Sequence, residues 1–126
     1  MFNKKLTIIV LAGGFGTRIR DTIGDLPKIL APIGDETFLF YFLKWINPLL
    51  KLNHCNLIFS LFNKSDLVIN YLNKINEKFS VTLDNKPFGT FGAICNSVLE
   101  HPSDNYLILN GDTIFSIDFL EIYIMD

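Results

Sequence analysis

Cysteine, histidine and uncompensated charge are all scarce in this chain. Its 126 residues include two cysteines, two histidines and one tryptophan. Cys55 and Cys95 stand alone, with no Cys-x-x-Cys pair and no cluster at zinc-ligand spacing, so a disulfide scaffold or structural zinc finds no support. Isolated thiols in apolar surroundings read as buried, unreactive side chains. His54 and His101 read as surface or loop residues. Net charge is −2, with acids and bases interspersed. This offers no basic footprint for nucleic acid and no polybasic stretch for a membrane surface. Long hydrophobic runs are missing as well. "FLFYFLKWINPLL" is interrupted by Lys44, Asn47 and Pro48 and is too short to span a bilayer. "MFNKK" before "LTIIVLAGG" has the charge order of a signal peptide, but its apolar run of six residues ends in glycines without a cleavage-like site. A reducing cytoplasm is the expected compartment.

What the chain has in quantity is apolar mass: 49% of residues are hydrophobic and twelve are Phe. That suffices for the core of one domain across residues 1–126. β-branched or apolar runs at "LTIIVL" (6–11), "CNLIFSLF" (55–62), "SVTLD" (80–84) and "NYLILN" (105–110) predict strands. Helical patterns cover 36–47, 65–79 and 90–101. The first is apolar nearly all round and ends near Pro48; the second opens on an N-cap-like Ser65 and gathers Leu67, Val68, Tyr71, Leu72 and Ile75 on one face. Residues 12–35, with five glycines, two prolines and no sustained period, read as a long functional loop. The alternation predicts a mostly parallel α/β sheet with helices on both faces. In such sheets ligands sit beyond the carboxyl ends of the strands. "AGGFGTR", "DNKPFGTFGA" and "NGD" all follow predicted strands.

The glycine stretch matches neither of two common phosphate loops. Gly14-Phe15-Gly16-Thr17-Arg18 leads to Ile19, where a dinucleotide fingerprint needs a third glycine, and no Gly-Lys-Ser/Thr run supplies a Walker A loop. Gly13, Gly14 and Gly16 instead suit a nest of inward backbone N–H groups against polyphosphate oxygens. Arg18 adds a bidentate fork and Lys28, after Pro27, a movable point charge. An ordinary tight turn with solvated basic residues is the bland alternative.

"LAGGFGTRIRDTIGDLPKILAPIG" resembles the opening signature of the sugar-1-phosphate nucleotidyltransferases: Gly-Gly-x-Gly-Thr-Arg, a spacer, then Pro-Lys. "KPFGTFGAI" (86–94) and "LILNGDTIF" (107–115) resemble later family motifs in the right order, and the spacer looks most like the branch that activates heptose 1-phosphates with GTP. The resemblance implies a three-layer, Rossmann-like nucleotide-diphospho-sugar transferase fold, of which residues 1–126 are the N-terminal, nucleotide-binding part. It implies that a sugar 1-phosphate attacks the α-phosphorus of a nucleoside triphosphate and releases pyrophosphate. Arg18 and Lys28 would be the catalytic cations. Leu11, Ala12, Gly13, Gly14, Gly16, Thr17, Gly89, Thr90 and Asn110 would line the nucleotide, Thr90 also capping the helix after it. Asp112 would hold Mg²⁺, a cation that takes one or two carboxylates along with substrate phosphates.

Asp84 stands five residues before Gly89, where thymidylyl- and uridylyl-transferring relatives commonly carry Gln and guanylyl-transferring ones Glu. A carboxylate only accepts hydrogen bonds, which suits the adjacent N1–H and N2–H₂ donors of guanine. Otherwise Asp84 simply ends a strand and caps the turn at Asn85. Family domains run on well past the "NGD" strand, whereas this sequence stops fourteen residues after Asp112. The resemblance therefore implies a second metal-binding aspartate and a sugar pocket supplied from elsewhere. The expectation is an enzyme of this family, active alone or with a partner, either a homo-oligomer or a complementing C-terminal half; a truncated, non-catalytic nucleotide-binding remnant or one half of a split enzyme is the alternative.

Overall fold

The computed structural model describes residues 5–13, 26–52, 55–62, 64–86 and 89–111. Its main sheet has four parallel strands in the order β5-β4-β1-β6: β1 is Leu6–Leu11, β4 Cys55–Leu61, β5 Ser80–Leu83 and β6 Asn105–Asn110. β1 lies between β4 and β6 and is buried from Leu6 to Val10. Burial on both faces explains why "LTIIV" is a continuous apolar run rather than an alternating one. The chain steps outward from β1 to β4 to β5, then returns across β1 to β6. The reversal puts a topological switch point between β1 and β6.

Three helices complete the layers: α1 (Phe38–Leu50), α2 (Ser65–Lys74) and α3 (Gly89–Glu100). Side chains alternate across a strand. Leu6, Ile8 and Val10 accordingly share the main core with Leu39 and Phe42 of α1 and Val68 and Leu72 of α2. Thr7 and Ile9 face the opposite side, where α3 packs across β1, β4 and β5. The predicted α/β sheet with helices on both faces is what the chain adopts.

α1 differs from its expected bounds at both ends. Pro32–Ile33 (β2) and Glu36–Thr37 (β3) form a small antiparallel hairpin whose two-residue loop begins at Gly34, φ +62°. Positive φ at the first loop residue alone is the requirement of a II′ hairpin, and glycine meets it without steric cost. Thr37 then caps the helix, its Oγ1 accepting from the Phe40 amide at 3.1 Å. At the other end Pro48 lies inside the helix rather than ending it. Burial of Leu49 offsets the hydrogen bond that proline cannot donate. Nor is α1 buried all round. Leu39, Phe42, Leu43, Ile46 and Leu49 form one face, Tyr41 and Lys44 are exposed, and Lys44 Nζ lies 4.8 Å above the Phe40 ring.

α2 ends at Lys74, five residues before the expected bound. Asn76 takes a left-handed φ of +59°; its amide donates to Asn73 O and the Glu77 amide to Leu72 O. This is a Schellman stop, with asparagine in the position usually taken by glycine. At the start, Lys64 rather than Ser65 is the N-cap, left-handed at φ 57°. Val68 and Leu72 are buried, whereas Ile75 falls beyond the helix and is exposed.

Candidate functional site at the carboxyl end of the sheet

β1 ends at Leu11, and the chain holds its line for two residues more. Ala12 donates its amide to Ser60 O at 3.0 Å. A Cβ on Gly13 would lie 3.0 Å from the Phe62 amide nitrogen and 3.1 Å from Phe62 Cβ, so a side chain here would press on the chain leaving β4. On the other flank, β6 ends at the exposed Asn110, and Gly111 donates its amide to Leu11 O at 2.9 Å. A Cβ on Gly111 would meet that same carbonyl and Ile29 Cδ1, each at 3.0 Å. Glycines thus bracket Leu11 and Ala12 on both sides of the switch point.

Contact with Ile29 brings in a third motif. Pro27 precedes a 3-10 turn at Lys28–Leu30, closed by the Leu30 amide on Pro27 O and the Ala31 amide on Lys28 O. Pro27, Ile29 and Leu30 are buried, leaving Lys28 as the exposed side chain between them. Ile29 anchors the turn against Gly111, next to the end of β6. The start of the glycine stretch, the Pro-Lys segment and the start of "NGD" therefore meet at one place. Gly14, Gly16, Thr17, Arg18 and Asp112 lie outside the described residues.

Asp84 stands on the same rim at the far edge of the sheet. Its amide donates to Leu61 O at 2.9 Å, which continues the β4–β5 ladder by one residue. Leu11 is level with Ser60 and Thr82, so Asp84 lies two strand spacings, about 10 Å, to the side of Leu11 and two residues further along the strand direction. Its half-buried carboxylate accepts from Asn96 Nδ2 at 3.0 Å, linking the end of β5 to α3. Asn96 escaped the sequence reading; its signal was a lone amide within an otherwise small and apolar helix. Gly89 opens α3 with φ +78° and has no atom within 4 Å of a built Cβ, so backbone conformation rather than crowding calls for glycine. Thr90 was expected to cap this helix. It lies inside the first turn instead, because the left-handed Gly89 makes the entry.

Other reactive groups are elsewhere. Cys55 is half-buried, and burial pushes its thiol up to about 11. A thiol so weakly acidic is a poor nucleophile at neutral pH. Cys95 is also half-buried and free. His101 sits after α3, where Tyr106 Oη donates to its carbonyl at 2.8 Å. Among the described residues no three His, Cys, Asp or Glu side chains converge as a metal site, and no helix is long and apolar enough to cross a membrane. Asp112, the carboxylate expected to take a divalent cation, follows Gly111 directly in sequence, and a carboxylate is the hard oxygen donor that such a cation requires.

Known proteins resemble this chain in sequence and in fold. The Nucleotidyl transferase family model matches residues 7–124. A D-glycero-alpha-D-manno-heptose 1-phosphate guanylyltransferase of Aneurinibacillus thermoaerophilus is 32% identical over 117 residues, covering 91% of this chain and 50% of that protein. Its namesake from Campylobacter jejuni is 33% identical over 112 residues, covering 87% and 49%. The crystal structure of HddC from Yersinia pseudotuberculosis complexed with GMP-PN superposes with a TM-score of 0.78 at 30% identity, over 94% of this chain and 53% of that one. The chain spans about half the length of these relatives.

Proposed function

Because the chain belongs to the nucleotidyl transferase family, we propose that it carries the nucleotide half of a guanylyltransferase site. This site would transfer GMP from GTP to a sugar 1-phosphate and release pyrophosphate. The observation that carries the reading is the packing of Gly13, Ile29 and Gly111 around the Leu11–Ala12 segment. It gathers the glycine, Pro-Lys and Gly-Asp motifs at the switch point, where open α/β sheets bind ligands. The heptose 1-phosphate activity named for two relatives supports a heptose as the sugar.

The nucleophile is a phosphate oxygen that is already anionic, since a phosphomonoester's second pKa is about 6. No general base is needed, so catalysis reduces to positioning and charge neutralisation. Backbone N–H groups of the Gly13, Gly14 and Gly16 stretch hold the triphosphate. Arg18 forks onto its oxygens and meets the charge that develops as pyrophosphate departs. Lys28, on its anchored turn, draws the sugar phosphate toward the α-phosphorus. Asp112 would hold Mg²⁺, which when bound would neutralise part of the triphosphate charge. Asp84 accepts from the guanine edge, and the open face at Gly89 and Thr90 lets the nucleoside lie against backbone. Leu11, Ala12 and Asn110 form the floor and rim.

Acceptor binding falls to the half of the fold that the relatives carry beyond the matched region. β6 is the edge of the sheet among the described residues, and its Ile108, beside Ile9 on the α3 side of the sheet, is 39% exposed. This edge suits a further strand and helix, whether joined to this chain or brought by a second one. Dependence on free GTP fits a cytoplasmic role in supplying activated sugars for polysaccharide assembly.

The test is pyrophosphate release from GTP, CTP, UTP and dTTP with heptose 1-phosphate or mannose 1-phosphate and Mg²⁺. It is run on the chain alone and with the C-terminal half of the Campylobacter relative added. Release with GTP, lost in Asp112→Ala, is expected. Nucleotide binding without release in either arm would leave a binding remnant; neither binding nor release would remove the proposal.

A further inference from the structure

Asp84 is the end of an edge strand, and a short carboxylate there has two torsions by which to turn away from a ligand. One side chain restrains it. Asn96, two turns into α3, donates Nδ2 to Asp84 Oδ1 at 3.0 Å, and the contact is partly shielded from water. The neighbouring Ser97 is fully buried against the sheet, which fixes the rotation of the helix and hence the side from which Asn96 approaches. The Asp84 amide is tied separately to Leu61 O. The residue is thus held at its backbone by β4 and at its carboxylate by α3.

An amide N–H bond occupies one of the roughly four lone-pair positions that a carboxylate offers. Oδ2 and the second lone pair of Oδ1 stay available as a pair of acceptors in a set orientation. Guanine presents N1–H and N2–H₂ as two parallel donors, and such an edge is read well only when both acceptors are held at once. Loss of the restraint leaves the charge in place while blurring its direction. Recognition of the exocyclic amine should then suffer more than general attraction of the nucleotide.

We propose that Asn96 is a positioning residue that orients the Asp84 carboxylate toward the guanine edge and so sets base selectivity. This rests on the reading of Asp84 as the guanine acceptor. The alternative is that the Asn96–Asp84 bond only straps α3 to β5.

The two are separated by titrating the chain with GTP and with ITP, which lacks the exocyclic amine. The measurements are made on the wild type, Asp84→Ala and Asn96→Leu, with circular dichroism to confirm folding. The wild type should prefer GTP. Asn96→Leu should lower the GTP-to-ITP affinity ratio by about five- to tenfold, the net scale of one ordinary hydrogen bond, while ITP affinity stays within about twofold. Asn96→Ala, which removes the donor without adding bulk or charge, should lower the ratio similarly and serves if the leucine variant does not fold. An unchanged ratio in a folded Asn96 variant, with Asp84→Ala altering it, overturns the positioning role alone. An unchanged ratio in Asp84→Ala, or no nucleotide binding by the wild type, overturns the reading of Asp84 and this proposal with it.

Discussion

The Gly111 amide donates to the Leu11 carbonyl at 2.9 Å, joining the ends of β1 and β6 at the point where the chain reverses across the sheet. The same carbonyl would lie 3.0 Å from any Cβ at Gly111. Hydrogen bond and steric limit act on one atom, so this corner admits little adjustment.

Gly111→Ala should therefore be costly although it adds only a methyl group. Backbone and a buried Ile29 side chain must both yield, a change of the overpacking kind that typically costs about 1–3 kcal/mol. Urea denaturation should show a lower midpoint at an unchanged slope. Gly34→Ala is the useful contrast. Nothing lies within 4 Å of its Cβ, but φ is +62°, so its loss comes from backbone strain alone. GTP affinity should fall in Gly111→Ala and hold in Gly34→Ala.

Asn76 occupies the left-handed position of the Schellman stop after α2. Asn76→Gly should keep or slightly raise thermal stability, since glycine adopts this conformation without a Cβ penalty. Asn76→Val should lower stability by about 1–2 kcal/mol, because a β-branched residue is strongly disfavoured there. Equal melting temperatures for the two variants would contradict the stop as described.

Burial raises the pKa of Glu77 above the usual carboxylate value. A carboxyl group with a raised folded-state pKa favours folding when protonated, below its unfolded pKa. That contribution is lost as pH climbs through the folded pKa. Glu77→Gln should melt slightly above the wild type at pH 7, by about 1–2 °C given the group's partial exposure. The difference should vanish near pH 4. A gap that widens on acidification would reverse the sign argued here.

The strands were the most legible part of the sequence. "LTIIVL" and "NYLILN" fall on β1 and β6 without error, because each is a short apolar run ended by glycine or turn residues. Helix ends were misjudged where tertiary contacts outweighed local signals. Pro48 reads as a terminator, yet the core needs Leu49; "ET" reads as helix, yet it pairs with Pro32–Ile33. Convergence of the site motifs followed from strand order alone. The Ile29–Gly111 contact and the Asn96–Asp84 bond did not, since each joins segments whose proximity only the folded sheet creates.

The central claim is that the carboxyl rim of this sheet binds a guanine nucleoside triphosphate. Isothermal titration of the chain with GTP and with CTP, in Mg²⁺, tests it most directly. The account predicts saturable GTP binding at least about tenfold tighter than CTP, the ratio expected when a carboxylate faces the donor pair of guanine rather than the acceptors of cytosine. It further predicts that Arg18→Ala weakens both nucleotides alike and leaves the ratio intact. Equal affinity for GTP and CTP, or no uptake of either by a folded chain, would contradict it.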